Sequence, residues 1–177
     1  WKVVPRSSLP NRTQGVPGTW AFRIKRKPAS SLNKYKSRFC VMGNRMQANV
    51  HYHGSTYSPV CGWASGRACL MMAASMDLHT RSVDFQHAFC QAKQETPLYI
   101  ELPKHYKVRG REHEDLVLDL QKSLYGTVTA PKQFYEHIDA GMRSEGFVPS
   151  ESDPCLYIHK EHQVMVLQYV DDQIYIA

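Results

Sequence analysis

The stretch Val164-Met-Val-Leu-Gln-Tyr-Val-Asp-Asp-Gln-Ile-Tyr-Ile176 decides how this chain is read. Its first seven residues are mostly β-branched, aliphatic or aromatic, Asp171-Asp172 interrupts the apolar run, and Ile174-Tyr175-Ile176 resumes it. That pattern spells a strand, an acidic turn and a second strand. Successive strand side chains point to opposite sides, so of two adjacent aspartates only one need face a ligand. Taken alone, an Asp-Asp turn is usually no more than a polar hairpin tip.

Upstream, Cys155 to His159 is strand-like, as are Pro97-Leu-Tyr-Ile-Glu-Leu, Leu116-Val-Leu-Asp-Leu and Arg81-Ser-Val-Asp-Phe, the last carrying Asp84 near its end. Pro131 opens a helix in which Phe134, Tyr135, Ile138 and Met142 recur at helical spacing and Gly146 gives a stop. Ser58-Pro59 precedes a segment to about Asp77 whose Ala68 and Leu70 to Ala74 predict a helix too apolar for an exposed face, hence a buried one. Strands alternating with helices predict an α+β fold, a sheet with its helices on one face.

Trp20-Ala-Phe-Arg-Ile-Lys-Arg alternates apolar and basic residues, as does Tyr35-Lys-Ser-Arg-Phe-Cys-Val after turn signals from Pro28 to Asn33. This predicts a hairpin with one basic face, on which Arg23, Lys25, Lys36 and Arg38 converge if the register allows. The charge is unevenly spread. Of 22 basic and 16 acidic residues, 12 basic and no acidic ones precede Asp77. A basic front half beside an acidic back half suits a protein that grips a phosphate backbone with one region and holds divalent cations with the other.

The 177 residues can bury one sizeable core, and the apolar runs are far too short for a membrane span. Five cysteines without CxxC spacing, and no signal-like opening, point to a reduced, intracellular setting. Neither Cys155 with His159 and His162, nor His51 with His53 and Cys61, supplies four ligands at zinc-finger spacing.

Eight motifs occur in order: Trp20-Ala-Phe-Arg-Ile-Lys, Tyr35-Lys-Ser-Arg, Thr56-Tyr-Ser-Pro-Val, Val83-Asp-Phe-Gln-His-Ala-Phe, Leu98-Tyr-Ile-Glu-Leu-Pro, Ser123-Leu-Tyr-Gly, Asp153-Pro-Cys-Leu-Tyr and Tyr169-Val-Asp-Asp. Together they resemble the reverse transcriptase domain of copia-type retrotransposons across nearly the whole chain. The resemblance implies a ferredoxin-like antiparallel palm with helices on one face, over residues 77–177. It also implies a basic hairpin fingers region with the first palm helix, over residues 1–76.

It further implies RNA-directed DNA polymerase activity with two Mg2+ or Mn2+ ions, four dNTPs, and a primer on an RNA or DNA template. Asp84, Asp171 and Asp172 would be the catalytic acids, with Asp84, Asp171 and the Phe85 carbonyl on the metals and Asp172 shaping the site beside the primer end. Lys25, Lys36 and Arg38 would close on the triphosphate, Phe89 would exclude a 2′ hydroxyl, Tyr125 and Gly126 would support the new pair, and Tyr169 and Val170 would lie under the primer terminus. Thumb, RNase H and integrase regions are missing from the chain, and a cytoplasmic particle is expected. Two departures from the family pattern, Cys90-Gln91-Ala92 and Thr127-Val128-Thr129, leave open an inactive copy that only binds nucleic acid.

Overall fold

The computed structural model describes residues 1–10, 13–28 and 31–177, so part of the turn expected at 28–33 lies outside the described residues. The strands are β1 (Lys2–Pro5), β2 (Gly18–Arg26), β3 (Leu32–Val41), β4 (Thr80–Asp84), β5 (Tyr99–Glu101), β6 (Leu116–Asp119), β7 (Val148–Pro149), β8 (Leu156–His159), β9 (Val164–Tyr169) and β10 (Asp172–Ile176). The α-helices are α1 (Trp63–Ser75) and α2 (Ala130–Ser144). The α+β class expected from sequence is the class adopted.

The chain forms two compact units, one of residues 1–55 and 92–130, the other of 56–91 and 131–177. They interleave in sequence, and the boundary expected at 76/77 falls inside the second unit, where α1 belongs with the strands that follow it.

In the first unit β6 is the centre of a three-stranded antiparallel sheet, with β1 and β5 on its flanks. Val117 and Leu118 are both buried although they face opposite sides, as a strand covered on both faces requires. Arg6 ties the ends of this sheet together, donating to both Glu101 carboxylate oxygens at 2.9 and 2.6 Å and to Asp115 at 2.8 Å. The bidentate geometry lifts the Arg6 pKa above its ordinary value. The same unit carries the separate β2–β3 hairpin.

In the second unit five antiparallel strands run in the order β4-β10-β9-β8-β7. The expectation that both helices lie on one face is corrected here. Leu167 and Ile176, with Leu156, Met165 and Ile174 beside them, pack on Cys69 and Ala73 of α1. Tyr157, which lies on the opposite side by strand alternation, donates to Asp139 of α2 at 3.0 Å. Both faces of this sheet are apolar enough to need a cover, so one helix goes to each.

Of the stripe predicted for it, α2 buries Phe134, Ile138 and Met142 and leaves Tyr135 half-buried, and it carries Lys132–Glu136 and Asp139–Arg143 pairs at i,i+4. α1 differs from its expected burial, because the sheet covers only one stripe of a helix that is apolar all round. Cys69 and Ala73 are buried, while Trp63, Met71 and Met76 are 80%, 72% and 62% exposed. The helix starts where the Gly62 amide donates to Asp153 at 2.9 Å and ends where Asp77 turns left-handed (φ 55°) and the Leu78 amide reaches back to Ala73 at 2.9 Å.

Candidate active site

Cross-strand register brings the acids of the second unit together. Asp172 opens β10 directly opposite both Tyr169 of β9 and Asp84 of β4. The β9–β10 connection is therefore the two residues Val170-Asp171, and the Phe85 amide extends the β4 side of the ladder by donating to the Asp171 carbonyl at 2.8 Å. Asp84, Asp171, Asp172 and the Phe85 backbone all meet at one end of the sheet. Asp84 and Asp172 are exposed and Asp171 half-buried.

Directly opposed residues of an antiparallel pair share a face, with Cβ atoms about 5 Å apart, and like charges so placed repel. The Asp84–Asp172 pair thus concentrates negative charge that a cation would relieve. Among the described residues no three His, Cys, Asp or Glu side chains converge as a ready-made metal cage. A pair of hard carboxylates beside a backbone carbonyl suits Mg2+, which takes few protein ligands and keeps positions for water and phosphate.

Val170 adopts φ 53°, a left-handed conformation that a β-branched side chain strongly disfavours. Its carbonyl accepts from the Gln168 side-chain amide, a contact that sequence reading missed. Tyr169 is exposed and lines, with Trp63, Leu70, Leu167, Asp172 and Ile174, an apolar hollow of about 280 Å3. Phe85 and Phe89 both meet the buried Phe134 of α2 edge-on, with centroids 5.8 and 6.0 Å away. Phe89 sits in the short 3-10 turn Ala88–Gln91, where Gln91 of the first departure donates to the Gln86 carbonyl at 2.9 Å.

The remaining nominated residues belong to the first unit. On the β2–β3 hairpin Arg23 pairs with Lys36, Lys25 with Lys34 and Ala21 with Arg38, so alternation gathers Arg23, Lys25, Lys34, Lys36 and Arg38 on one face. Loss of hydration and then Arg38, Lys25, Lys34 and Arg23 push the Lys36 pKa below that of an ordinary lysine. The other face holds Trp20, Phe22, Ile24, Tyr35 and Phe39, with Trp20 against Phe22 at 6.1 Å and Phe39 at 5.3 Å.

The Arg38 guanidinium lies over the Tyr125 ring, 4.6 Å from its centroid, which joins two residues that sequence had nominated separately. Gly126 was expected, with Tyr125, to support the new pair. In the fold it lets β3 approach: a Cβ there would meet the Val41 carbonyl oxygen at 2.1 Å, and φ is 89°. The Val41 amide donates to the Tyr125 carbonyl at 2.8 Å. At the second departure the buried Thr127 hydroxyl donates to the Leu124 carbonyl at 2.9 Å, closing the turn that carries Tyr125 and Gly126.

Comparison with known proteins agrees with the motif order. The family described as reverse transcriptase (RNA-dependent DNA polymerase) matches residues 1–177. The Retrovirus-related Pol polyprotein from transposon TNT 1-94 of Nicotiana tabacum is 33% identical over 172 residues, covering 96% of this chain and 13% of that protein. Pol polyproteins from transposons RE1 and RE2 of Arabidopsis thaliana are 31% and 30% identical, each over 97% of this chain and 12% of theirs. The chain thus spans about an eighth of the length of these relatives. No solved structure matches it. A match along the entire chain, with relatives of one kind at 30% identity or more, establishes that the chain belongs to the reverse transcriptase family of copia-type retrotransposon polyproteins.

Proposed function

We propose that this chain carries the nucleotidyl-transfer site of an RNA-directed DNA polymerase, with the second unit as palm and the β2–β3 hairpin as fingers. One observation carries the reading: Asp84 stands opposite Asp172 in the sheet while the Phe85 amide binds the Asp171 carbonyl, so three acids share one sheet end. Bound Mg2+ or Mn2+ supplies Lewis acidity for deprotonating the primer 3′ hydroxyl and charge compensation for the leaving pyrophosphate.

Asp84 and Asp171 would hold those ions by their carboxylates, helped by the Phe85 carbonyl, and Asp172 would add negative charge beside the primer end. Tyr169 and Val170 support the primer terminus. Lys25, Lys36 and Arg38 neutralise the triphosphate, Arg38 being held over Tyr125 so that less freedom is lost on binding. Phe89, backed by Phe134, fills the space that a ribose 2′ hydroxyl would need. Tyr125 and Gly126 bear the nascent pair. Primer and an RNA or DNA template are the partners.

Primer extension by the full-length polyprotein, with deoxy and then ribo triphosphates and with or without Mg2+, tests this. Extension confined to deoxynucleotides and Mg2+, relaxed toward ribonucleotides by Phe89→Ala, is expected. A second reading, nucleic-acid binding without catalysis, is favoured by the five-cation hairpin face alone. Steeply salt-dependent binding without metal-dependent extension would select it.

A further inference from the structure

Two glutamines stand in strands that are otherwise apolar, and both are buried: Gln168 at the end of β9 and Gln173 near the start of β10, paired directly across the ladder. Burying such amides is unfavourable unless they are hydrogen-bonded. Here they are linked in series. The Tyr175 hydroxyl donates to Gln173 Oε1 at 2.8 Å, Gln173 Nε2 donates to Gln168 Oε1, and Gln168 Nε2 donates to the Val170 carbonyl.

The direction of this chain of bonds is fixed from its far end. A backbone carbonyl only accepts, so Gln168 must turn its NH2 toward Val170 and its oxygen toward Gln173. Gln173 must then present its NH2 to Gln168 and its oxygen to Tyr175, leaving the Tyr175 hydroxyl to donate. The chain ends on the residue that occupies the disfavoured left-handed conformation, immediately before Asp171. Turning one amide over would set oxygen against oxygen beside the Val170 carbonyl.

We infer that Gln173 and Tyr175 are positioning residues for the acidic turn: by holding the Gln168 amide in the one orientation that serves the Val170 carbonyl, they keep Val170 left-handed and so present Asp171. Their side chains reach the Val170 carbonyl through Gln168. This rests on the polymerase reading for its catalytic consequence, though not for its effect on the turn.

The test compares the wild-type full-length polyprotein with Gln173→Met, Gln173→Glu, Tyr175→Phe and, as a control for the reading itself, Asp171→Asn. Gln173→Met keeps length and loses the polar ends. Gln173→Glu keeps shape but, once ionised, only accepts, and so forces the Gln168 amide to turn. Amide hydrogen exchange at residues 170–173 should quicken roughly tenfold in Gln173→Met, the equivalent of one lost buried hydrogen bond, and less in Tyr175→Phe. The remainder of the β9–β10 ladder should keep its protection.

In primer extension, kcat should fall roughly tenfold in Gln173→Met and the Mg2+ concentration for half-maximal rate should rise, with KM for primer-template unchanged. Unchanged exchange in the turn for both Gln173 variants overturns the inference. Faster exchange in a protein whose wild type shows no metal-dependent extension upholds the positioning role and overturns the polymerase reading instead. Normal extension by wild type, its loss in Asp171→Asn and undiminished kcat in Gln173→Met would do the reverse.

Discussion

Replacing Gly126 by alanine separates two costs that are usually entangled. A Cβ on a residue at φ 89° pays the left-handed penalty, about 1–2 kcal/mol. At Gly126 the added carbon would also lie 2.1 Å from the Val41 carbonyl oxygen and 3.0 Å from its nitrogen, and backbone cannot swing aside as a flexible side chain would. Relief requires β3 to withdraw, breaking the 2.8 Å bond from the Val41 amide to Tyr125. Leaving that buried donor unpaired costs about 1–3 kcal/mol.

The sum is about 3 kcal/mol, or a Tm drop of about 6–12 °C for a chain of this size. Gly110 is the internal control, with φ 79° and nothing within 4 Å of its Cβ position. Gly110→Ala should cost only the conformational part, about 1–2 kcal/mol. Urea unfolding of the two variants side by side measures the difference directly. Equal losses would refute the argument that close approach of β3 is what demands glycine at 126.

Other outcomes follow from the same geometry. Asp153 is buried, which opposes its ionisation, yet bonds from Ser65, the Cys155 and Gly62 amides and Cys61 more than offset this and hold its carboxyl below the usual range. A depressed folded pKa means that this stabilisation is complete above about pH 4, the unfolded value, and is lost as pH falls through the folded one. Asp153→Asn should remove that acid dependence in thermal melts and cost about 1–3 kcal/mol at neutral pH. Phe134→Ala should destabilise by about 3–5 kcal/mol in urea unfolding and loosen both Phe85 and Phe89. Lys36 loses its proton at lower pH than an ordinary lysine, so oligonucleotide affinity measured by anisotropy should decline early on the alkaline side, and Lys36→Arg should abolish the decline. Lys36→Ala should reduce the slope of log affinity against log salt by about 0.7–0.9.

What could be read in advance follows from how local each signal is. An apolar run broken by an acidic pair in Val164 to Ile176, and period-two alternation in the two hairpin strands, marked those strands, whereas the registers Tyr169–Asp172 and Arg23–Lys36 are set by the fold. Alternation says which residues share a face but not which face a distant helix will cover, so the placement of α1 and α2 on opposite sides was not legible. Nor was the exposure of Met71 and Trp63, because a helix apolar all round does not announce which stripe the sheet will bury. The two units draw on interleaved segments, and only long-range pairing such as β1 with β6 reveals that.

Among the functional residues, Asp84 was legible as a strand end and its neighbour across the sheet was not. Gly126 was legible as a residue of the site, and its close approach to Val41 of β3 was not. Gln168 and Gln173 carried a signal that went unused: two amides interrupting apolar strands at positions the register sets side by side.

The central claim is that Asp84 and Asp171 together hold the metal ions of a polymerase. Primer extension by the full-length polyprotein in rising Mg2+, for wild type, Asp84→Asn and Asp171→Asn, tests it most directly. The account predicts metal-dependent extension by wild type and its loss in both variants, with their thermal melts unchanged. Extension by Asp171→Asn at the wild-type rate would contradict it.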